Sequence, residues 1–94
     1  MTILRIEHQV PSFDGWKKAF DNDPINRKKS GVRAYRIFRP TNDPNYVIVD
    51  LEFDDLSSAE ATLASLRNLW KQVEGTVMFN PQTRILDVAE AKKV

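Results

Sequence analysis

The chain has 94 residues, no cysteine and a formal net charge of +1. That length sets one domain, residues 1–94, around a single core, and the missing thiols exclude a disulfide framework or a cysteine zinc site. So small a net charge gives no global pull toward nucleic acid or an anionic membrane. The opening MTILRIEHQV alternates where a signal segment would run apolar, and no apolar run approaches the ~18 residues of a membrane span. The expectation is a cytoplasmic protein.

Thr2 to Val10 places Leu4, Ile6, His8 and Val10 opposite Ile3, Arg5, Glu7 and Gln9, the period-two pattern of a strand. Pro11 stops it, Ser12 offers an N-cap hydroxyl, and Phe13, Trp16 and Phe20 recur at helical spacing. Pro24 closes this helix, and INRKKSG is a polar connector. Val32 to Arg39 alternates again and ends in PTNDPN, which is rich in turn residues. The third strand runs from Tyr46 to Phe53. Ser57-Ser58-Ala59-Glu60 then reads as a capping box that opens a long helix. Along that helix Ala59, Leu63, Leu66, Trp70 and Val73 form one apolar stripe, and Gly75 ends it. The loop TVMFNPQ leads to a fourth strand, Thr83 to Glu90. The order βαββαβ predicts a ferredoxin-like α+β fold, an antiparallel four-stranded sheet with two helices on one face.

A hairpin around Pro40 to Asn45, with Arg39 facing Tyr46, sets Tyr35 opposite Asp50 and Arg33 opposite Glu52. The same register puts Val32, Ala34, Arg36 and Phe38 on the core side, where Arg36 is the one discordant residue. The face turned from the helices then holds Arg33, Tyr35, Ile37, Arg39, Ile48, Asp50, Glu52, Ile3, Arg5, Glu7 and Gln9. Ile85, Asp87 and Ala89 complete it from the fourth strand.

On the segments RIEHQVPSFDGWKKAFD, GVRAYRIFRPTNDPNYVIVDLEFDD, RNLWKQ and RILDV, the chain resembles the dimeric α+β barrel superfamily. That group contains antibiotic-biosynthesis monooxygenases, aromatic polyketide cyclases and muconolactone isomerases. The resemblance implies a homodimer through the open sheet face, with ligand cavities in the barrel so formed. It also implies that Asp50 and Glu52 look inward or toward the partner.

The densest cluster on the expected register is Arg33, Tyr35, Asp50 and Glu52, joined by Arg5 and Glu7. A carboxylate beside a phenol suits a general base for enolising a ketone or phenol, with arginine holding the resulting anion. The same residues equally make an ion-pair lattice that sets register and dimer orientation. His8 is the only histidine, which leaves no histidine metal cluster. It reads as a proton shuttle or as a hydrogen-bonded core residue. Trp70 with Val77, Met78 and Phe79 forms an apolar group that would wall a ligand cavity or seal the dimer. Some heme-degrading members of the superfamily carry a tryptophan on the second helix and a heme-ligating histidine soon after. Trp70 fits, but no histidine lies between Val73 and Gln82, which argues against that chemistry.

Arg27, Lys28, Lys29, Arg33, Arg36 and Arg39 make a basic run with Tyr35 and Phe38 interleaved. The third strand YVIVDLEF carries acids where an RNA-binding sheet stacks bases, so a small aromatic or anionic ligand is expected before nucleic acid. Two functions follow. One is a cofactor-independent monooxygenase, cyclase or isomerase acting on an aromatic or polyketide-like molecule. Its catalytic groups would be Asp50 or His8 with Tyr35, and its binding groups Arg33, Glu52, Arg5, Trp70 and Phe79. The other is a non-catalytic dimeric module that binds a small ligand or has a stress-related structural role.

Overall fold

Alternation in the first segment produces β1 (Thr2–Gln9), whose even-numbered side chains enter the core. α1 (Phe13–Asp21) follows, capped by Ser12, whose Oγ accepts the Gly15 N–H at 3.3 Å. β2 (Val32–Phe38), β3 (Tyr46–Phe53), α2 (Leu56–Val73) and β4 (Phe79–Asp87) complete the order. These elements belong to a computed structural model that describes residues 1–73 and 78–94. The expected helix stop at Gly75 and the loop residue Val77 lie outside the described residues.

The sheet is antiparallel with strand order β2-β3-β1-β4, and both helices pack on one face. This is the expected βαββαβ ferredoxin-like α+β fold. Leu4, Val47 and Phe53 are sealed at its centre, with Ala59, Leu63 and Leu66 of α2 and Trp16 of α1 laid across them. Burying each large side chain contributes about 1.5–3 kcal/mol, so the helix stripe and the strand alternation stabilise one another. Among the described residues no helix is long and apolar enough to cross a membrane.

Three sequence expectations are corrected. The start of α2 lies earlier than the capping box: Asp55 is the cap, its Oδ1 accepting the Ser58 N–H at 2.7 Å. An ionised carboxylate stabilises the free N–H groups and dipole of a helix start more than a serine hydroxyl does.

The second correction concerns β2. Val32 faces Phe53 as expected, but the next pair is Ala34 with Glu52, leaving Arg33 as an extra residue in the strand. Such a bulge flips every later side chain to the other face. Tyr35 therefore sits opposite Leu51 and Ile37 opposite Val49, on the helix side. Arg36 comes opposite Asp50 and Phe38 opposite Ile48, on the open side. The bulge removes the discord that Arg36 would have made in the core.

The third correction is β4, which begins at Phe79 and ends at Asp87. Its pairing with β1 sets Ile85 opposite Leu4, on the helix face, so Ile85 and Asp87 do not belong to the open face. Gln82, Arg84 and Leu86 take that face instead, opposite Glu7, Arg5 and Ile3. The pairing is irregular at its far end, where Gln9 meets Phe79, near Asn80 at φ 56°.

Candidate functional site

The apolar stripes of α1 and α2 do not close completely on the sheet. Between them lies a cavity of about 290 Å³, at the small end of the range for ligand sites. Ile6 and His8 of β1 and Val49 and Leu51 of β3 form its floor. Trp16 and Phe20 wall one side, Leu66 and Trp70 the other, with Ile25, Arg27 and Met78 at the margins. The ring spacing on the α1 side is tight: Trp16 stacks on Phe20 with centroids 5.1 Å apart, and Phe20 meets Tyr35 edge-on at 5.0 Å. Such pairs add about 0.5–1.5 kcal/mol each beyond area burial, which holds that wall in one shape.

Besides Asn22, two polar side chains among the described residues line this apolar space. His8 is 3% exposed, and its ring meets Trp16 at 6.0 Å. Nδ1 lies 3.1 Å from the Gln9 carbonyl oxygen. A carbonyl only accepts, so that bond puts the proton on Nδ1 and leaves a lone pair on Nε2. Burial lowers the His8 pKa from its ordinary value, opposed in part by the Gln9 bond, so the neutral imidazole is favoured. Among the described residues no buried side-chain nitrogen or oxygen lacks a partner. Nε2 has no protein partner among the described residues, and His8 lines the cavity. The second polar group is Arg27, whose guanidinium sits 4.0 Å above the Phe20 ring and 5.2 Å from that of Tyr35.

The open side of the sheet holds a separate set of charges. Arg5 donates from Nε to Asp50 Oδ1 at 2.8 Å and from Nη2 to Oδ2 at 2.9 Å, a bidentate cross-strand pair. Asp50 is buried, while Arg5 remains 40% exposed along its side chain. The pairing raises the Arg5 pKa. Tyr46 donates its hydroxyl to Glu7 Oε1 at 2.8 Å, and burial together with that bond raises the phenol pKa. Arg5, Glu7, Gln82, Thr83 and Arg84 outline a polar depression of about 240 Å³.

The sheet thus divides the residues that the sequence grouped together. His8 and Trp70 meet in the cavity. Asp50, Arg5 and Glu52 occupy the opposite face, and both carboxylate oxygens of Asp50 are engaged by Arg5. Tyr35 is on the helix side against Phe20, not beside Asp50. Arg33, the bulge residue, pairs with Asp54 at 2.8 Å on the surface. Phe79 is 38% exposed at the end of β4 and does not line the cavity. Sequence reasoning missed Phe20 and Arg27 as cavity residues; their spacing across Pro24 carried no periodic signal. Among the described residues no group of three or more metal-ligating side chains converges.

No protein-family model matches the chain, and no curated protein matches it. Solved structures do, and they are antibiotic-biosynthesis-monooxygenase-like proteins of ferredoxin-like fold, the group that the resemblance indicated. SnoaB, a cofactor-independent oxygenase from Streptomyces nogalater, superposes with a TM-score of 0.73 at 8% identity, over 96% of this chain and 94% of that one. A mutant of MhuD with two manganese protoporphyrin IX molecules bound per active site gives 0.72 at 13% identity, over the whole of both chains. A dimeric ferredoxin-like protein from an uncultured marine organism gives 0.63 at 15% identity, over 96% of this chain and 97% of that one. At these identities the likeness is one of fold.

Proposed function

We propose that the cavity between the sheet and the helices binds a small aromatic molecule, and that the protein oxygenates it without an added cofactor. The observation that carries this reading is His8: a buried imidazole whose neutral form is favoured and whose Nε2 has no partner among the described residues, lining an apolar space walled by Trp16, Phe20 and Trp70. Support comes from the fold shared with a cofactor-independent oxygenase.

An acidic ring CH₂ or hydroxyl seated in the cavity would give its proton to His8 Nε2. The resulting carbanion or phenolate is electron-rich enough to reduce dioxygen directly. For a CH₂ group the balance is CH₂ + O₂ → C=O + H₂O: the substrate supplies all the electrons, one oxygen atom enters the product and the other leaves in water. A cyclase or isomerase would share the first proton transfer and omit oxygen. Asp50 is less suited to act as the base, because Arg5 occupies both of its oxygens on the far side of the sheet.

The open face serves assembly in this reading. Phe38, Ile48, Ile3 and Leu86 lie there among Glu7, Asp50 and Glu52 and the three arginines Arg5, Arg36 and Arg84. Acids and bases in equal number on one face can satisfy a second copy of that face, so a homodimer is the proposed assembly. This arrangement also keeps part of the structural-module alternative: the Arg5–Asp50 pair orders the sheet and its partner.

The deciding experiment measures oxygen uptake with a panel of aromatic ketones and phenols, using wild type and His8→Gln. Positioned general bases contribute about 10²–10⁴-fold, so His8→Gln should lose at least 100-fold while still binding ligand. Equal rates in the two proteins would remove His8 from the chemistry.

A further inference from the structure

The Arg27 side chain is held on one side only. Its Nη1 donates to the Phe20 carbonyl oxygen at 2.7 Å, and the same nitrogen lies 3.5 Å from Asp23 Oδ1. That carboxylate oxygen is itself fixed by the Arg27 backbone N–H at 2.8 Å. The guanidinium face rests on the Phe20 ring at 4.0 Å, which sets its plane. A guanidinium carries five N–H donors, and one from Nε and one from Nη2 lie parallel along one edge. Among the described residues that edge has no protein acceptor. No buried side-chain nitrogen there lacks a partner, and the Arg27 side chain is 16% exposed. Among the described residues lining the cavity, Arg27 is the one charged side chain, apart from the neutral-favoured His8.

From this geometry we infer that Arg27 is an anchor for a carboxylate, and that the cavity selects flat aromatic acids over neutral aromatics. The inference rests on the cavity being a ligand site, as proposed above, and adds the class of ligand. A planar edge of two parallel N–H groups matches the two oxygens of a carboxylate, and a stacked guanidinium loses little freedom on binding it. Cavity size fits the rest of such a molecule. An apolar space of about 150 Å³ takes a benzene ring, so about 290 Å³ leaves room for two fused rings. Asp23 Oδ1 approaches Arg27 at Nη1, 3.5 Å away, and so offsets part of its charge without occupying Nε or Nη2.

Both tryptophans of the chain, Trp16 and Trp70, line the cavity, so intrinsic fluorescence reads its occupancy. The test titrates 2-naphthoate and its neutral isostere 2-naphthamide into wild type, Arg27→Gln and Arg27→Lys. Wild type should bind the carboxylate at least tenfold more tightly than the amide. That ratio should fall to near one in Arg27→Gln and take an intermediate value in Arg27→Lys, which keeps the charge but not the fork. Equal affinity of wild type for the two probes would overturn the anchor and leave the cavity reading standing. So would a preference that survives in Arg27→Gln. Absence of binding by either probe would overturn the cavity reading itself. Should Arg27→Gln fail to fold by circular dichroism, the wild-type ratio and Arg27→Lys still decide the matter.

Discussion

Asp50→Asn separates a structural carboxylate from a catalytic one. The substitution preserves shape but replaces one acceptor oxygen by an NH₂ donor, facing the two Arg5 nitrogens at 2.8 and 2.9 Å. At least one charge-assisted bond is lost, worth about 1.5–3 kcal/mol. Breaking a fully buried pair costs about 3–5 kcal/mol, because the remaining charge stays desolvated. Arg5 is 40% exposed and can turn toward water, so the upper figure does not apply. A loss of about 2–3 kcal/mol results. In a domain of this size each kcal/mol moves the melting temperature by about 4–8 °C, giving a fall of about 10 °C or more. Thermal unfolding followed by circular dichroism at fixed protein concentration measures it, since a dimer makes the midpoint concentration-dependent. A cycle with Arg5→Met should return about 1.5–2 kcal/mol of coupling, since each single change already forfeits the shared bonds. A fall under about 0.5 kcal/mol, in a scale where exposed pairs measure 0.2–1 kcal/mol, would refute the account of a structural pair. Turnover abolished at unchanged stability would return Asp50 to the catalytic role its sequence context suggested.

Two further outcomes follow from His8 and Gly31. The folded pKa of His8 lies below its ordinary value of 6.5, so between the two values the unfolded chain binds more protons. Stability should therefore rise with pH across that window, be complete above about 6.5 and be lost below it, at up to about 1.4 kcal/mol per pH unit. Urea unfolding from pH 4.5 to 8 checks the sign, and His8→Gln should flatten that limb; an unchanged limb in the variant would assign it to other groups. Gly31→Ala should cost about 1–2 kcal/mol, because Gly31 holds φ +97° and a Cβ there would stand 3.3 Å from Ser58 Cβ. Denaturant midpoints test it, and a neutral result would mean that the β2 entry relaxes.

Element order was legible because period two and period 3.6 are written into side-chain polarity, and β3 was read residue for residue. The start of β4 was not, since Thr83, Ile85 and Asp87 alternate with Arg84, Leu86 and Val88 at similar polarity on both faces. Pattern alone gave that strand no preferred side. The capping error had a similar source: Asp55 and Ser57 both precede the apolar stripe, and only backbone geometry selects between them. The cavity was invisible for another reason. Its volume depends on how far α1 stands from the sheet, and Trp16 and Phe20 read as core whether that gap is open or closed.

The bulge at Arg33 has a signal in the sequence, the discordant Arg36. VRAYRIF puts Arg36 in register with Val32 and Phe38, so an uninterrupted strand must either bury a guanidinium or slip. One extra residue resolves the conflict without moving Val32 from Phe53. Its consequence for function is large, because it exchanges the two halves of the expected site. Tyr35 leaves Asp50 and joins Phe20 and Arg27 on the helix side, while Arg36 takes its place across from the carboxylate. The aromatic and imidazole groups are thereby collected where the packing is loose, and the paired charges where a second sheet can cover them. A second charge beside Arg27 in the cavity would demand a partner or water, and aromatics on the open face alone would leave it adhesive. A single inserted residue sets which side chains of β2 turn toward the cavity and which turn toward the open face.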